Sequence, residues 1–598
     1  MRPQRLDGWV PIADYGLLSN GHTVAMVALD GRIDWWPLPA LNDPPVFAAI
    51  LDPINGGRLE MQPADDFTVT RRYVGESNVL ETTFRTTTTT GTARVTDALT
   101  VGRAGVPLPW GELVRRVDGV DGQVAMRWAV YPGTRFGTTE PWTQQSGDDI
   151  VVHCADQHLA LRCFDIGKPK VTAHQVSGTF RTSATSTGIF AISASDNAPI
   201  YLPDRAALES RLDDTVSSWH QWSAAMTYDG PWSEAVHRSG LVLKLLLYGP
   251  SGAIAAAATT SLPERIGGDK NWDYRYTWIR DTAFTVEACI QLGLEEEVQG
   301  AVASLLRSVR STLPGLNVFY QLDGGVPAKE HDLAAPGYRN SRPVRAGNAA
   351  VSQTQLGTFG DLFDSVWRYV GDGHLLDPAS AQMLAELADR CCDIWHSKDA
   401  GIWELNEKQH YTISKIGCWV ALDRAVRLHE HGQVPTAHAD RWRAERDGIK
   451  AWVNEHCWSA DKCSYTFFAG RNQLDASVLL AGMNGFEVGD RLGGTVEAVR
   501  RELSVGPLVH RYTGMDNQEG AFLACSFWMA SALAALDRLD EATTLMDEAV
   551  MLSNDLGLMA EQMDPDSREM LGNVPQGLSH LALVNAAFAI TRAKQRAA

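Results

Sequence analysis

The chain has 598 residues, 44% of them hydrophobic, and a formal net charge of −19 at pH 7. This length exceeds the size at which a single hydrophobic core stops growing, so we expect two domains with sizeable cores. The negative charge argues against a nucleic-acid partner, because phosphate binding draws its affinity from clustered Lys and Arg.

The apolar runs are too short or too interrupted to cross a bilayer, and residues 241–247 contain Lys244. The amino terminus has no apolar stretch of signal-peptide length. The nine cysteines are scattered without paired metal-ligand spacing, and Cys391 and Cys392 are adjacent, so reduced thiols are expected. We therefore predict a cytoplasmic protein without a membrane partner or a metal, and we leave its oligomeric state open.

Residues 1–203 contain short stretches of alternating polarity that are separated by turn dipeptides. Residues 23–29 and 32–38, joined by Asp30-Gly31, predict a hairpin. Many short strands without helices between them predict an antiparallel β-sandwich. Further strands are predicted at 67–74, 78–90, 92–101, 124–131, 149–154 and 188–195.

The pattern becomes helical after residue 203. A helix is predicted over 204–226, and Tyr228-Asp229-Gly230-Pro231 ends it, so residues 204–232 are interpreted as a linker. Residues 233–598 carry about twelve segments with helical periodicity, which a closed ring of paired helices accommodates. These segments are 233–248, 281–293, 294–311, 349–370, 378–397, 411–430, 437–456, 475–484, 492–503, 519–536, 539–553 and 577–594.

Two acidic tripeptides indicate a hydrolytic site in this second domain. Glu404 lies in Trp403-Glu404-Leu405, and Glu561 lies in Ala560-Glu561-Gln562. Hydrolysis of a sugar bond needs two such carboxyl groups, one to protonate the leaving oxygen and one to activate water. The segment NWDYRYTWIRD (271–281) adds aromatic rings, which stack on sugars, and charged groups, which bind hydroxyls.

Several ordered motifs together resemble glycoside hydrolase family 15, which contains glucoamylases, some bacterial and archaeal trehalases and related α-glucosidases. The opening residues 12–39 are similar to the amino-terminal β-sandwich of its bacterial members. The resemblance implies an N-terminal antiparallel β-sandwich followed by a C-terminal (α/α)6 barrel, a multidomain α+β fold. The motifs are NWDYRYTWIRD (271–281), SRPVRAGNAA (341–350), GIWELNEKQHYTISKIGCWVALDRA (401–425), EGAFLACSFW (519–528) and NDLGLMAEQMDP (554–565).

The same resemblance implies roles for single residues. Glu404 matches the general acid, and Glu561 matches the general base of an inverting hydrolysis that needs no cofactor. Trp403 and Tyr411 are expected to make the surroundings of Glu404 apolar, which raises its pKa. Gln562 is expected to orient Glu561 or the attacking water.

The substrate-binding residues implied by the resemblance form a closed first sugar subsite. Its aromatic walls are Tyr274 and Trp278, and Arg280 and Asp281 are expected to bind hydroxyls of the terminal glucose. A closed pocket admits only a chain end, which predicts exo action. Arg345 and Arg511 resemble further substrate-contacting arginines.

Competing interpretations accompany these assignments. Glu519 is a second candidate for the base, and Glu407, one helical turn past Glu404, is a second candidate for the acid. Asp281 could instead cap a helix that starts there, with Arg280 in a surface ion pair.

The function expected from the sequence is an exo-acting, inverting hydrolase that releases β-glucose from the non-reducing end of short α-glucosides. Trehalase activity is the main alternative, because trehalose is also an α-glucoside. A glycoside phosphorylase and a non-catalytic carbohydrate-binding protein are kept as further alternatives from other classes.

Overall fold

A computed structural model describes residues 1, 3–87 and 90–597. The amino-terminal part consists of antiparallel strands, and short 3-10 helices cover Ile12–Asp14 and Arg103–Gly105. The strands are β1 (Tyr15–Ser19), β2 (Val24–Ala28), β3 (Ile33–Pro37), β4 (Pro45–Phe47), β5 (Arg58–Pro63), β6 (Phe67–Tyr73), β7 (Leu80–Thr86), β8 (Thr92–Leu99), β9 (Gly111–Asp121), β10 (Gln123–Tyr131), β11 (Trp142–Ser146), β12 (Asp149–Cys154), β13 (Gln157–Phe164), β14 (Lys170–Val171), β15 (Val176–Ser183) and β16 (Thr187–Asp196).

These strands form two eight-stranded sheets that pack face to face. One sheet has the order β1-β2-β3-β5-β10-β15-β14, with β4 paired to β3, and the other has the order β11-β12-β13-β16-β9-β8-β7-β6. Contacts of β1 with β8, β5 with β7 and β15 with β9 join the two sheets. Trp35, Trp36 and Trp128 fill the sandwich core. The predicted β-sandwich is therefore confirmed.

Each predicted strand segment contains an observed strand. In the predicted hairpin, the Ala28 N–H bonds the Arg32 carbonyl, and Gly31 supplies a left-handed φ of 83°. The segment predicted at 78–90 is β7 up to Thr86, and Thr88 and Thr89 lie outside the described residues. Strands β1, β4, β5, β9, β11, β13, β14 and β15 were not predicted; in β1, for example, the sequence YGLLS shows no alternation of polarity.

The rest of the chain is mainly helical. The helix predicted over 204–226 is α1 (Arg205–Ser223), capped by the Asp204 side chain. The others are α2 (Ser233–Leu246), α3 (Ile279–Leu292), α4 (Glu295–Ser311), α5 (Gly357–Gly371), α6 (Pro378–Ile394), α7 (Thr412–Glu430), α8 (Ala439–His456), α9 (Leu480–Met483) after a 3-10 turn (Ala476–Leu479), α10 (Asp490–Leu503), α11 (Leu523–Ala535), α12 (Leu539–Val550) and α13 (Gly577–Ala597).

The helices from α2 onward alternate between an outer and an inner ring. In the inner ring α3 packs on α5, α5 on α7, α7 on the 476–483 segment, that segment on α11, and α11 on α13. Helix α13 packs back on α3 and closes the ring. The outer helices cover the inner ones, as α8 covers α7 and α12 covers α11. Each helical segment predicted after residue 233 matches one of these elements, which form an (α/α)6 barrel.

Short hairpins and 3-10 turns connect the barrel helices. The residues just before α3, α7 and α11 are Trp278, Tyr411 and Phe522. All three contact the turn 401–404, which places the starts of these inner helices at one end of the barrel. The hairpin strands are β17 (Leu247–Tyr248), β18 (Ala253–Ile254), β19 (Thr277–Trp278), β20 (Phe319–Tyr320), β21 (His331–Leu333), β22 (Val344–Ala346), β23 (Trp458–Ser459), β24 (Ser464–Tyr465), β25 (Ser504–Val505), β26 (Leu508–Val509), β27 (Ala521–Phe522), β28 (Gln562–Met563) and β29 (Met570–Leu571).

The sandwich packs against the barrel segment that leads into α3. The Trp35 Nε1 donates to the Ala258 carbonyl at 3.0 Å, and the Arg275 Nη1 donates to the Asp43 carbonyl at 2.9 Å. The same Arg275 forms a bidentate ion pair with buried Asp273, in which both N–O distances are 2.8 Å. The aromatic segment of the predicted site is therefore held from the sandwich side.

The boundaries at residues 203 and 232 stay a prediction. Among the described residues, no helix has the length and apolar character needed to span a bilayer.

Arg275→Met should lower the free energy of unfolding by about 3–5 kcal/mol, because it leaves the Asp273 carboxylate buried and unpaired. Arg72→Met is the matched control, since the Arg72 side chain is 72% exposed in its pair with Glu81. Loss of that surface pair should cost less than about 1 kcal/mol. Urea unfolding measures both changes, and equal losses would contradict this account of the domain contact.

Candidate active site

Glu404 lies in the connection between α6 and α7, in a tightly held turn. Its backbone is left-handed, with a φ of 61°, a conformation that costs a residue with a side chain on the order of 1–3 kcal/mol. Three hydrogen bonds hold the turn around it: Arg280 Nη1 to the Ile402 carbonyl, Gln353 Nε2 to the Glu404 carbonyl, and the Ala400 N–H to the Thr354 carbonyl. This backbone fixes the direction of the Glu404 side chain.

The Glu404 carboxyl group faces Trp278. The Trp278 Nε1 donates to Glu404 Oε1 at 2.7 Å, and the Trp278 ring stacks on Phe319 with centroids 4.4 Å apart. Burial raises the pKa of Glu404, although the Arg280 charge and the Trp278 N–H oppose the shift. With Oε1 occupied by an N–H donor, Oε2 is the oxygen on which a transferable proton can reside.

Glu561 immediately precedes β28 and is only 1% exposed. Its backbone N–H bonds the Asn573 carbonyl at 3.0 Å, and its carboxylate lies against Gly572. Burial raises the pKa of Glu561 to about 7; Arg511 opposes the shift, and the charges of Glu519 and Glu404 add to it. Glu561 is therefore a carboxyl group that changes its charge near neutral pH.

The structure brings Glu404 and Glu561 into electrostatic contact beside Tyr274. Burial raises the pKa of the Tyr274 phenol, and the charges of Glu561 and Glu404 raise it further. The Tyr274 ring meets Trp278 edge to face, with centroids 5.3 Å apart. Carboxyl groups from distant parts of the chain thus both act on the Tyr274 phenol, and their catalytic roles stay a prediction.

Arg280 and Asp281 lie in the first turn of α3. The Arg280 Nε donates to Asp281 Oδ2 at 3.0 Å, and the pair is almost completely buried. Because Trp278 is the N-cap, the interpretation of Asp281 as the cap of this helix is wrong. Within the described part of the chain, Asp281 Oδ1 is buried without a hydrogen-bond partner. That oxygen is an acceptor that a ligand hydroxyl can satisfy.

Arg511 lies between two buried carboxylates. Its guanidinium donates to Glu264 Oε2 at 2.6 Å and to Glu519 Oε1 at 2.5 Å, and Lys270 donates to Glu519 Oε2 at 2.6 Å. Against the effect of burial, Arg511 and Lys270 lower the pKa of Glu519 to about 2. A carboxylate this weakly basic is a poor proton acceptor at neutral pH, which disfavours Glu519 as the base.

Other predicted residues lie at the edge of this group. Arg345 packs over the Trp272 ring at 4.3 Å and donates to the backbone carbonyls of Asp269 and Asn271. The Arg345 guanidinium therefore binds the backbone of the loop that precedes α3. Trp403, in contrast, is buried next to Glu404, and its ring lies under the Arg511 guanidinium at 5.5 Å.

Two expectations were wrong in part. Gln562 does not bond Glu561, because neither atom of its buried amide has a hydrogen-bond partner among the described residues, and its role in orienting the attacking water stays a prediction. Glu407 is not one helical turn past Glu404, since residues 404–409 are not helical, and its side chain is exposed. Tyr411 packs beneath Gly401 in the same turn and donates to the Glu407 carbonyl, and its effect on the pKa of Glu404 stays a prediction.

Sequence reasoning missed Glu264 and Asp475, which are fully buried at this site. Glu264 contacts Arg511, and Asp475 accepts a hydrogen bond from Trp403 Nε1 at 2.9 Å. The only available signal for Glu264 was its closeness in sequence to the aromatic segment 271–281. In the described ranges, no group of three or more His, Cys, Asp or Glu side chains has the arrangement of a metal site.

A half-buried and a buried carboxyl group at one end of an (α/α)6 barrel, beside aromatic rings, are typical of the class of glycoside hydrolases. The comparisons with known proteins agree. Residues 230–538 match the model of glycosyl hydrolases family 15, and residues 6–186 match the trehalase-like N-terminal model. The chain belongs to glycosyl hydrolase family 15, whose members act with inversion.

Curated relatives extend over nearly the whole chain. A trehalase of Mycobacterium tuberculosis is 33% identical over 98% of this chain and 90% of its own length. A trehalase of Thermoplasma volcanium is 30% identical over 97% of this chain and 94% of its own length. A bacterial glucoamylase complexed with acarbose superposes with a TM-score of 0.72 over 98% of this chain and 95% of its own, at 12% identity, which shows the fold alone.

Gly572→Ala should lower kcat for hydrolysis of an α-glucoside by about 100-fold, the cost of displacing a catalytic group by roughly 1 Å. A Cβ atom at this position would lie 2.4 Å from Glu561 Oε2, so the carboxylate has to move. Gly432→Ala is the matched control: Gly432 has a φ of 72° against 71° for Gly572, and a Cβ there meets no atom within 4 Å. Steady-state kinetics should distinguish the two variants. Equal losses of kcat would show that backbone strain, and not displacement of Glu561, causes the effect.

Proposed function

We propose that this protein hydrolyses α,α-trehalose, with Glu404 as general acid and Glu561 as general base. The observation that carries this proposal is a pair of carboxyl groups beside one aromatic corner: half-buried Glu404 is bonded by Trp278, whose ring meets Tyr274, and the charges of Glu404 and of buried Glu561 both act on Tyr274. Trehalose and other short α-glucosides were both open from the sequence. Trehalose is favoured because the relatives that match the full length are named trehalases and because residues 6–186 match a trehalase-like model.

The proposed reaction is a single displacement. Glu404 gives its proton to the oxygen that links the two glucose units, and the bond from that oxygen to the anomeric carbon breaks. Water attacks the same carbon from the opposite face, and Glu561 accepts a proton from that water. The products are one β-glucose from the attacked ring and one α-glucose from the leaving group.

The neighbouring groups suit the proposed roles of Glu404 as acid and Glu561 as base. Asp281 Oδ1 offers an unused acceptor for a hydroxyl of the first glucose, and Arg280 lies beside it. Tyr274, Trp278 and Trp403 provide the aromatic walls. Arg511 provides positive charge on the side of Glu561, which favours its ionised form as a base.

The charge around Glu561 argues against the phosphorylase alternative. Glu264 and Glu519 interact electrostatically with this region and are paired with Arg511 and Lys270, so these cations are already engaged and the anionic Glu561 would repel a phosphate dianion in place of water. A non-catalytic sugar-binding role would not use the pairing of Glu404 with Glu561. A cytoplasmic location remains a prediction, which the nine free cysteine thiols support.

Purified protein should release free glucose from trehalose faster than from maltose or isomaltose. Each sugar is incubated with and without inorganic phosphate, and the products are separated by anion-exchange chromatography. Glucose phosphate would indicate phosphorolysis. Preferential hydrolysis of maltose would favour the glucoamylase-like alternative and overturn the trehalose assignment.

Glu404→Gln and Glu561→Gln should each slow turnover of trehalose by about 10²–10⁴-fold, the range for positioned acid–base groups. Glu407→Gln is the control, because Glu407 is an exposed carboxylate in the same loop. Proton NMR of fresh wild-type product should find α- and β-glucose in equal initial amounts. Near-normal turnover by both site variants, or initial release of α-glucose alone, contradicts the mechanism.

The acidic limb of the pH profile of kcat/KM should have its midpoint near the Glu561 pKa of about 7. Burial raises this pKa, and the ionised form is the active base, so activity rises as the pH increases through that value. Glu407→Gln should leave the midpoint unchanged. An acidic limb centred near the ordinary Glu pKa of about 4.3 would contradict the assignment of Glu561.

A further inference from the structure

Asp475 is a buried carboxylate that lies just before the 3-10 turn Ala476–Leu479 of the inner ring, and it is 0% exposed. Its Oδ1 accepts from the Trp403 Nε1 at 2.9 Å and from the Ser477 N–H at 2.9 Å. Its Oδ2 accepts from Ser477 Oγ at 2.6 Å. One side chain therefore caps a turn and also reaches another loop of the barrel.

The backbone of Asp475 connects it to a third part of the site. Asp475 forms an isolated β-bridge with Tyr512, and the Ala476 N–H bonds the Arg511 carbonyl at 2.8 Å. The segments that carry Trp403, Asp475 and Arg511 thus meet at this carboxylate. None of the motifs that identified the family contains Asp475.

Trp403 has one polar side-chain atom, and Asp475 is its partner. The Trp403 ring is also packed by Phe522 and Trp528, with centroids 5.5 and 6.1 Å away. A rotation of the ring would leave a buried N–H without a partner, which costs about 1–3 kcal/mol. Since Trp403 is covalently followed by Glu404, its orientation is coupled to the left-handed backbone of Glu404.

We propose that Asp475 is a positioning residue for the proton donor: by holding the Trp403 indole, its carboxylate fixes the direction in which Glu404 presents its carboxyl group. This inference rests on the proposed role of Glu404 as general acid. Asp475 itself need not touch the substrate. Its loss should therefore affect proton donation more than substrate binding.

Two substrates separate proton donation from the rest of catalysis. Trehalose has a glucose leaving group that needs protonation, whereas α-glucosyl fluoride releases fluoride, which leaves without help from an acid. Asp475→Leu should lower kcat about 100-fold on trehalose and less than about 10-fold on the fluoride, with KM changed little on either. Asp475→Asn keeps an acceptor oxygen for Trp403 and should recover most of the activity.

Glu404→Gln is the reference variant that lacks the proton donor. Like Asp475→Leu, it should lose much more activity on trehalose than on the fluoride. If Glu404→Gln slows both substrates equally, the assignment of the donor is wrong, and the proposed function fails at that point. If Glu404→Gln is selective but Asp475→Leu slows both substrates equally, the positioning role alone is overturned.

Trp403→Phe tests the same contact without altering Asp475, which guards against a folding defect in Asp475→Leu. It retains an aromatic ring but lacks the N–H, so it should share the selectivity for the fluoride. In the Trp403→Phe background, Asp475→Leu should lower kcat on trehalose by less than about a further 3-fold, because the effects of two residues in contact are not additive. Ser477→Ala removes the hydroxyl bond of the cap and should leave the ratio of the two rates unchanged. The proposal would be overturned if Trp403→Phe slowed both substrates equally. It would also be overturned if the effects of Trp403→Phe and Asp475→Leu on kcat were fully additive.

Discussion

The ion pairs of Arg511 are the interaction on which the catalytic end of the barrel depends. Arg511 is 7% exposed and lies between Glu264 and Glu519, and its charge also opposes the raised pKa values of Glu404 and Glu561. Without this cation, several carboxyl groups would be buried close together with mutual repulsion and without compensation. The sequence suggested a substrate contact for Arg511, and the structure adds the role of a shared counter-ion.

The candidate site includes both a strained backbone and an unsatisfied polar atom. Glu404 has a left-handed backbone, and Asp281 Oδ1 lacks a partner within the described residues. The body of the barrel is closely packed: helix α11, for example, is buried on nearly every side. Packing of the inner helices and the contact of Trp35 with the loop before α3 supply the rigidity that such a site needs.

Much of this architecture could be predicted from sequence, for identifiable reasons. The helices after residue 233 carry a 3.6-residue period, and Glu404 and Glu561 stand in motifs with distinctive neighbours. Strand β1 escaped prediction because its sequence, YGLLS, does not alternate in polarity. Glu264 and Asp475 escaped because a single acidic residue in a loop looks the same whether it is solvated or buried. Only tertiary contacts reveal that Arg511 and Trp403 are their partners.

The left-handed conformation at residue 404 has a consequence for how substitutions there are interpreted. Glutamine has the same unbranched stem as glutamate and inherits the same torsional penalty, so Glu404→Gln changes the chemistry while the main-chain energy stays constant. Glycine is the exception, because it relaxes the turn and removes the functional group at once. A more stable but inactive glycine variant would give the energetic cost of presenting this carboxyl group.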